Sequence, residues 1–403
     1  MQHYARHWRQ LTAAPHRMFF ATGFAWLLAW SGWWTLLLAM RTAGISGMEP
    51  GQPALLLHGG LMLFVVLPPF MYGFLLTVFP RWMPAPAAGR AAMLSAFALS
   101  NAGNLVFLGG LWGLPGGIEA GWLLAALALG LVCWNLIVAL WQAPRRVPHA
   151  FAALAGLLAG LGGMLLFFGM LVSGDWTAWP LARGIGLWAF LLVVYFTISH
   201  RMIPFFTARI LPAYASWRPE WLLYVFVALA FARALLELSA EHAWLATVPL
   251  AVIGTGCALR WRPRERHGVR LLSILHASLA WLALGLLLTA FADLGAALGF
   301  DDVAGRAPVH ALGMGFFGSM LMAMVTRVSL GHSGRPLVLQ AFDWRLFLLV
   351  QAATLARIGG EFLPPAAAGL NLVAALAWTT AFAAWAIRYL PICFRPRIDG
   401  LAG

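Results

Sequence analysis

The chain reads as long apolar runs separated by short polar breaks, with neither strand-like alternation nor a sustained heptad pattern. Taken between Gly, Pro and Arg breaks, the runs cover residues 18–40, 54–79, 91–112, 120–141, 150–172, 183–206, 219–238, 243–260, 270–292, 307–330, 342–362 and 366–388. Each is close to the roughly 20 residues that a helix needs to cross about 30 Å of hydrocarbon. Continuous apolar runs select helices over half-buried strands, and in lipid only helices or closed barrels satisfy their own backbone groups. The pattern predicts an all-α polytopic membrane protein of about 12 transmembrane helices, forming a single integral-membrane domain over residues 1–403. No break is long enough to be an interdomain linker, and neither a soluble domain nor an internal repeat stands out. The start, "MQHYARHWRQLTAAPHR", is basic and polar. The apolar run that follows is about 22 residues, too long for a signal-peptide core, so it is read as the first span.

Charge then orients the spans. Only 10% of the residues are charged and 62% are hydrophobic, whereas a soluble domain carries about a quarter charged residues. All 26 basic residues are Arg. With the N-terminus and the even-numbered connections placed on one side, 21 of the 26 fall there. The other side keeps Arg41, Arg183, Arg233, Arg306 and Arg357. The positive-inside rule makes the first side cytoplasmic and puts both termini there. The net charge of +13 then follows from topology and calls for no nucleic-acid partner. Cys133, Cys257 and Cys393 suggest no disulfide framework.

Histidines are the main candidate chemistry. His3, His7, His149, His242 and His267 fall in termini or loops and read as solvated surface residues. The other six lie in or at the ends of spans, where a polar residue is by default a functional hypothesis. His58 in span two and His310 in span ten sit near the same, outer end of two helices running in the same direction. Two imidazoles at one depth on different helices are what a haem held between helices requires. Small residues follow both: Gly59 and Gly60, then Gly313, Gly315 and Gly318. These allow close approach of a helix or a flat macrocycle. On the opposite side lie His16, His200, His276 and His332, with Arg201 and Arg327 in the same layer. His200, His276 and His332 are candidate copper ligands, or zinc ligands in an open site. The two guanidiniums disfavour a bare cation and favour an anionic group such as a haem propionate. His310 and Arg327 lie about 25 Å apart along one helix at 1.5 Å per residue. The sequence holds no CxxC, Walker loop, HExxH or GxSxG. Glu237, Asp293 and Glu361 fall near outer ends, and no carboxylate sits obviously mid-span, which weighs against a proton-driven transporter.

Four stretches carry a resemblance: "APHRMFF" (14–20), "HGGLMLFVVLPPFMYGFLLTVFPRW" (58–82), "RMIPFFTAR" (201–209) and "HALGMGFFGSMLMAMVTRVSLGHSGRPL" (310–337). In order and span position they resemble the NnrS family of bacterial inner-membrane proteins. The family's second span begins Trp-His-x-His-Glu-Met. Aligned through the GFLLT run, this chain keeps His58 and Met62, with Gly60 and Leu61 in place of the second His and the Glu. His200 also stands where a small residue is expected. The resemblance implies a haem- and copper-containing multi-pass protein of the bacterial inner membrane, tied to nitric oxide, nitrosative stress and denitrification. It implies haem b, and possibly copper, with His58, Met62, His310, Arg201 and Arg327 at the cofactor and His332 as a further site residue. Its partners would be membrane lipid, haem and a quinone or other electron donor. Whether the protein is a haem/copper oxidoreductase acting on nitric oxide, a non-catalytic haem sensor or assembly protein, or a transporter or channel stays open at this point.

Overall fold

The computed structural model describes residues 2–45, 50–263, 268–300 and 302–400. Every regular element among them is helical. We number the helices α1 (Gln2–Leu11), α2 (Pro15–Thr42), α3 (Ala54–Trp82), α4 (Arg90–Leu111), α5 (Gly117–Gln142), α6 (Pro148–Ser173) and α7 (Trp179–Ile210). Then follow α8 (Glu220–Leu238), α9 (Trp244–Trp261), α10 (Arg270–Ala297), α11 (Ala307–His332), α12 (Ala341–Phe362) and α13 (Pro364–Cys393). Each of the twelve predicted runs falls on one of α2–α13. Among the described residues, eleven of these helices are long and apolar enough to cross a membrane. The twelfth, α12, has 22 residues but carries Asp343, Arg345, Arg357 and Glu361, which sets it apart in composition. Arg264, Arg266 and His267 lie outside the described residues.

The chain divides into two compact units. The first comprises Met1–Trp30, Met48–Val194 and Tyr389–Gly403, and the second Ser31–Gly47 and Tyr195–Arg388. Three of the divisions fall inside helices α2, α7 and α13, not in linkers, so no compositional break marks them.

The first unit owes its tightest packing to glycine. A Cβ at Gly110 would overlap the backbone nitrogen of Ile118, and one at Gly121 would overlap that of Phe107. A Cβ at Gly103 would lie 2.7 Å from the Gly121 carbonyl oxygen. Helices α4 and α5 therefore touch backbone to backbone, as small residues permit in lipid, where packing rather than a hydrophobic force joins helices. Polar side chains are satisfied in pairs: Trp26 and Trp30 donate their indole N–H groups to Asn101 (2.9 Å) and Asn104 (2.7 Å). Trp122 stacks on Phe167 with ring centroids 4.3 Å apart.

In the second unit Phe196 stacks on Phe226 at 3.5 Å, and the Trp385 indole donates to Thr326 Oγ1 at 2.9 Å. Gln351 of α12 accepts from Trp281 and donates to Ser319 Oγ at 2.9 Å. Arg233 of α8 donates through Nε and Nη2 to both oxygens of Asp293 on α10 at 3.1 and 3.2 Å. Its Nη1 lies 3.1 Å from Glu237, and Thr247 donates to Asp293.

Helices α3, α7 and α11 differ from the rest in two ways. Most of each apolar window is buried (89, 83 and 78%), against 56% or less in the other candidate spans. Each also contains a π-helical stretch: Met62–Val66, Ile185–Leu192 and Ala311–Gly318. The extra residue per turn re-aims the side chains that follow, and such stretches recur at functional sites. These three helices carry His58, His200 and His310.

Candidate functional site

His310 closes the first turn of α11, and the segment before it is built to hold that turn. Gly305 has φ +53°, a left-handed conformation that favours glycine. Its N–H donates to Asp302 Oδ1 at 2.8 Å. Arg306 is the N-cap of α11, and its N–H donates to Glu361 Oε2 on α12 at 3.1 Å. The other oxygen of Glu361 takes a charge-assisted bond from Arg357 Nη1, one turn earlier on α12. The Arg306 carbonyl faces His310 and lies 3.2 Å from its backbone nitrogen and 2.8 Å from Nδ1. A carbonyl oxygen can only accept, so Nδ1 carries the proton and Nε2 presents its lone pair. Three residues on, Gly313 has open space where a Cβ would stand. The other glycines of this stretch are filled: a Cβ at Gly315 would meet Trp281 and one at Gly318 would meet Trp378.

The other predicted residues of the second unit are arranged differently. His200 is fully buried, with its Nε2 3.2 Å from the Pro219 carbonyl, so Nε2 is the donor there. Its ring lies edge-on to Trp261 at 5.7 Å. Thr207 gives its single hydroxyl proton to the Ile203 carbonyl at 2.9 Å. It must therefore accept from His276 Nε2, 3.3 Å away. His332 is the half-buried last residue of α11. Among the described residues, no three His, Cys, Asp or Glu side chains form a group that could hold a metal ion. The structure thus does not bring His200, His276 and His332 together in that way. Arg201 is half-buried, and its carbonyl takes a long bond from Arg218 Nη1 at 3.5 Å. Arg327 is 9% exposed. Its guanidinium lies 3.7 Å from the centre of the Phe206 ring. No carboxylate pairs with it and no acceptor bonds it among the described residues. In the connection after α7, burial raises the Tyr214 hydroxyl above its usual range. It stays protonated and donates to the Trp261 carbonyl at 3.2 Å.

In the first unit, His58 is half-buried near the start of α3, and Met62 is the half-buried first residue of its π-helical stretch. The glycines after His58 face aromatic side chains. A Cβ at Gly59 would lie 2.7 Å from Trp179, and one at Gly60 would lie 2.6 Å from Phe167. His16 is buried, with its backbone N–H donating to Thr77 Oγ1 at 3.2 Å. His149 departs from expectation. Read as a solvated loop residue, it is buried in the first turn of α6, edge-on to Trp82 at 6.4 Å. Pro148 starts that helix two residues earlier than the apolar run shows, which draws His149 into the packed turn.

The family model described as NnrS protein matches residues 10–397 of the 403. The chain belongs to the NnrS family. It is thus a multi-pass helical membrane protein of the NnrS type, and no curated protein matches it. For this NnrS chain, haem and copper can be tested against the residues present. At His310 the donor chemistry suits a haem ligand: one ring nitrogen is tied to backbone and the other keeps its lone pair, and a Cβ at Gly313 would meet nothing within 4 Å. For copper on His200, His276 and His332 the residues do not fit, because no such group forms and the Nε2 atoms of His200 and His276 are donors elsewhere. Sequence reasoning missed Glu361 and Arg306 as neighbours of His310. Their relation spans 55 residues and leaves no periodic signal.

Proposed function

We propose that this NnrS protein binds haem b in the bacterial inner membrane and acts in nitric oxide metabolism or the response to nitrosative stress as a redox protein. The observation that carries this reading is His310, whose Nδ1 proton is committed to the Arg306 carbonyl at 2.8 Å and whose Nε2 is left as a ligand beside an open glycine face. Bound haem would supply an iron centre that takes up electrons and binds nitric oxide. The protein's own parts are then plain. His310 ligates, the Arg306 carbonyl fixes its ring, and Gly313 leaves the space. His58 is the corresponding candidate ligand of the first unit, with Met62 one turn on. Arg201 and Arg327 offer cations for an anionic group; for Arg327, about 25 Å along α11 from His310, that group is not the haem His310 would hold. Both termini are placed in the cytoplasm by the arginine bias.

The visible spectrum of the purified protein tests this directly. A Soret band is expected, with haem that acid–acetone extracts, since the sequence has no CxxCH site for covalent attachment. His310→Ala and His58→Ala are each expected to lower haem content. A colourless protein, or haem content unchanged in both variants, overturns the reading. In that case the buried, carboxylate-free Arg327 favours a transporter or channel for an anion.

A further inference from the structure

Glu361 lies on α12 and touches no candidate ligand, yet it governs the backbone that holds one. Its Oε2 accepts the Arg306 N–H at 3.1 Å. The carbonyl of that same residue, Arg306, accepts the Nδ1 proton of His310 at 2.8 Å. The N–H and the carbonyl of Arg306 lie in neighbouring peptide planes joined at its Cα, with φ −93° and ψ 6°, so anchoring the N–H restrains, through those two dihedrals, where the carbonyl points and hence the ring and tautomer of His310. The carboxylate is held in turn by Arg357 Nη1. Gly305 completes the arrangement: a Cβ there would overlap Glu361 Oε2, and its φ of +53° also favours glycine. The free N-terminus of α11 needs an acceptor for its first N–H groups. In a capping box a Glu or Gln at the third helical position accepts the N-cap N–H; here that position is Val309, and the acceptor for the Arg306 N–H comes from another helix.

We propose that Glu361 is a positioning residue for His310, acting through the backbone of Arg306 to keep Nδ1 protonated and Nε2 free for a ligand. This rests on the reading of His310 as a haem ligand, but the tautomer it sets belongs to the protein alone. Outer partners of a ligating histidine raise its basicity and fix its orientation, and losing one lowers metal affinity by about 10–100-fold. Haem affinity should fall by about that factor in Glu361→Ala. Glu361→Gln keeps an oxygen able to accept from Arg306 and should recover most of the loss. Gly305→Ala, which changes neither the carboxylate nor the histidine, should act in the same direction as Glu361→Ala.

The test uses the full-length protein in detergent, labelled with ¹⁵N-histidine. His310→Gln assigns the His310 resonances. In haem-free protein the wild type should show the Nδ1–H tautomer. Glu361→Ala and Gly305→Ala should show the Nε2–H form or a mixture, and Glu361→Gln the wild-type form. Haem titrations on the same samples should follow that order. Arg388→Gln, which breaks the Arg388–Asp343 ion pair at the other end of α12, is the control. It should lower thermal stability and leave the tautomer alone. A wild-type tautomer and unchanged haem affinity in folded Glu361→Ala would overturn the proposal, as would a His310 that is Nε2–H in wild type. If wild type shows the Nδ1–H form and responds to Glu361→Ala yet takes up no haem, the positioning role stands and the haem reading falls.

Discussion

Replacing Arg233 by Met should destabilise the protein strongly, and adding a second substitution should restore part of the loss. Arg233 bridges Asp293 through two bonds at 3.1 and 3.2 Å and reaches Glu237 at 3.1 Å. The side chains of the three are 6, 12 and 7% exposed. Removing one member of a buried ion pair typically costs about 3–5 kcal/mol, because the remaining charge stays buried and uncompensated. Here two carboxylates remain, so Arg233→Met sits at the upper end of that range. The ceiling per carboxylate is the cost of placing a proton on it at pH 7, about 4 kcal/mol for an ordinary aspartate. Asp293→Asn alone should be milder. It leaves Arg233 with Glu237 and loses charge-assisted bonds of about 1.5–3 kcal/mol. The double variant Arg233→Met/Asp293→Asn removes one stranded charge and should be more stable than Arg233→Met alone. Thermal unfolding followed with a thiol-reactive fluorophore suits the measurement, because Cys133, Cys257 and Cys393 are all buried and react on unfolding. If the double variant unfolds at or below the temperature of Arg233→Met, the stranded-charge argument is wrong, and the loss comes from packing of the arginine stem.

Two further outcomes are expected. Gly121→Leu should abolish or severely reduce folded protein, because even a Cβ at this position overlaps the Phe107 nitrogen; Gly162→Leu, with open space around the Cβ position, should be tolerated, and equal yields of the two would sink the close-packing account of α4 and α5. Reporters fused after Gly403 should be active only when the reporter works in the cytoplasm; a fusion active only in the periplasm would reverse the assigned topology.

The helices were legible because apolar length alone specifies them. Residues 270–292, for example, read as a run and fold within Arg270–Ala297. Charge was legible only as a bias. Two of the five arginines that run against it, Arg233 and Arg357, are paired with carboxylates in the structure. Their partners sit four residues away on the same helix, and in the case of Asp293 60 residues away. The i,i+4 spacing of Arg233 with Glu237 and of Arg357 with Glu361 was visible in principle. The bonds from Arg233 to Asp293 and the reach of Glu361 back to Arg306 were not, since they depend on which helices become neighbours. The same limit hid the two compact units, whose borders lie inside helices. It also hid the π-helical stretches, which an apolar run cannot distinguish from ordinary helix. At His58, the two glycines offered as room for a macrocycle are filled by Trp179 and Phe167. Glycine content signals close approach, but not what approaches.

Arg327 is where topology and chemistry make different forecasts. It stands 17 residues after His310 on α11, about 25 Å along the axis, too far for one haem to touch both. It therefore serves a second group or none. The face of Phe206 at 3.7 Å stabilises the cation by about 2 kcal/mol when desolvated, less than the several kcal/mol that burying an ion costs. No carboxylate among the described residues makes up the difference, which leaves it to solvent or to an anion from outside the chain. Arg327→Met separates the cases. For a purely topological cation, an apolar side chain of similar volume leaves stability unchanged or improves it. For an anion site, inorganic phosphate should raise the unfolding temperature of wild type, raise that of Arg327→Lys less, and leave Arg327→Met unmoved. Lysine keeps the charge but loses the planar fork and the stacking on Phe206. Should wild type prove indifferent to phosphate while Arg327→Met is at least as stable, Arg327 is a topological charge, and the polar end of α11 marks only the side of the membrane.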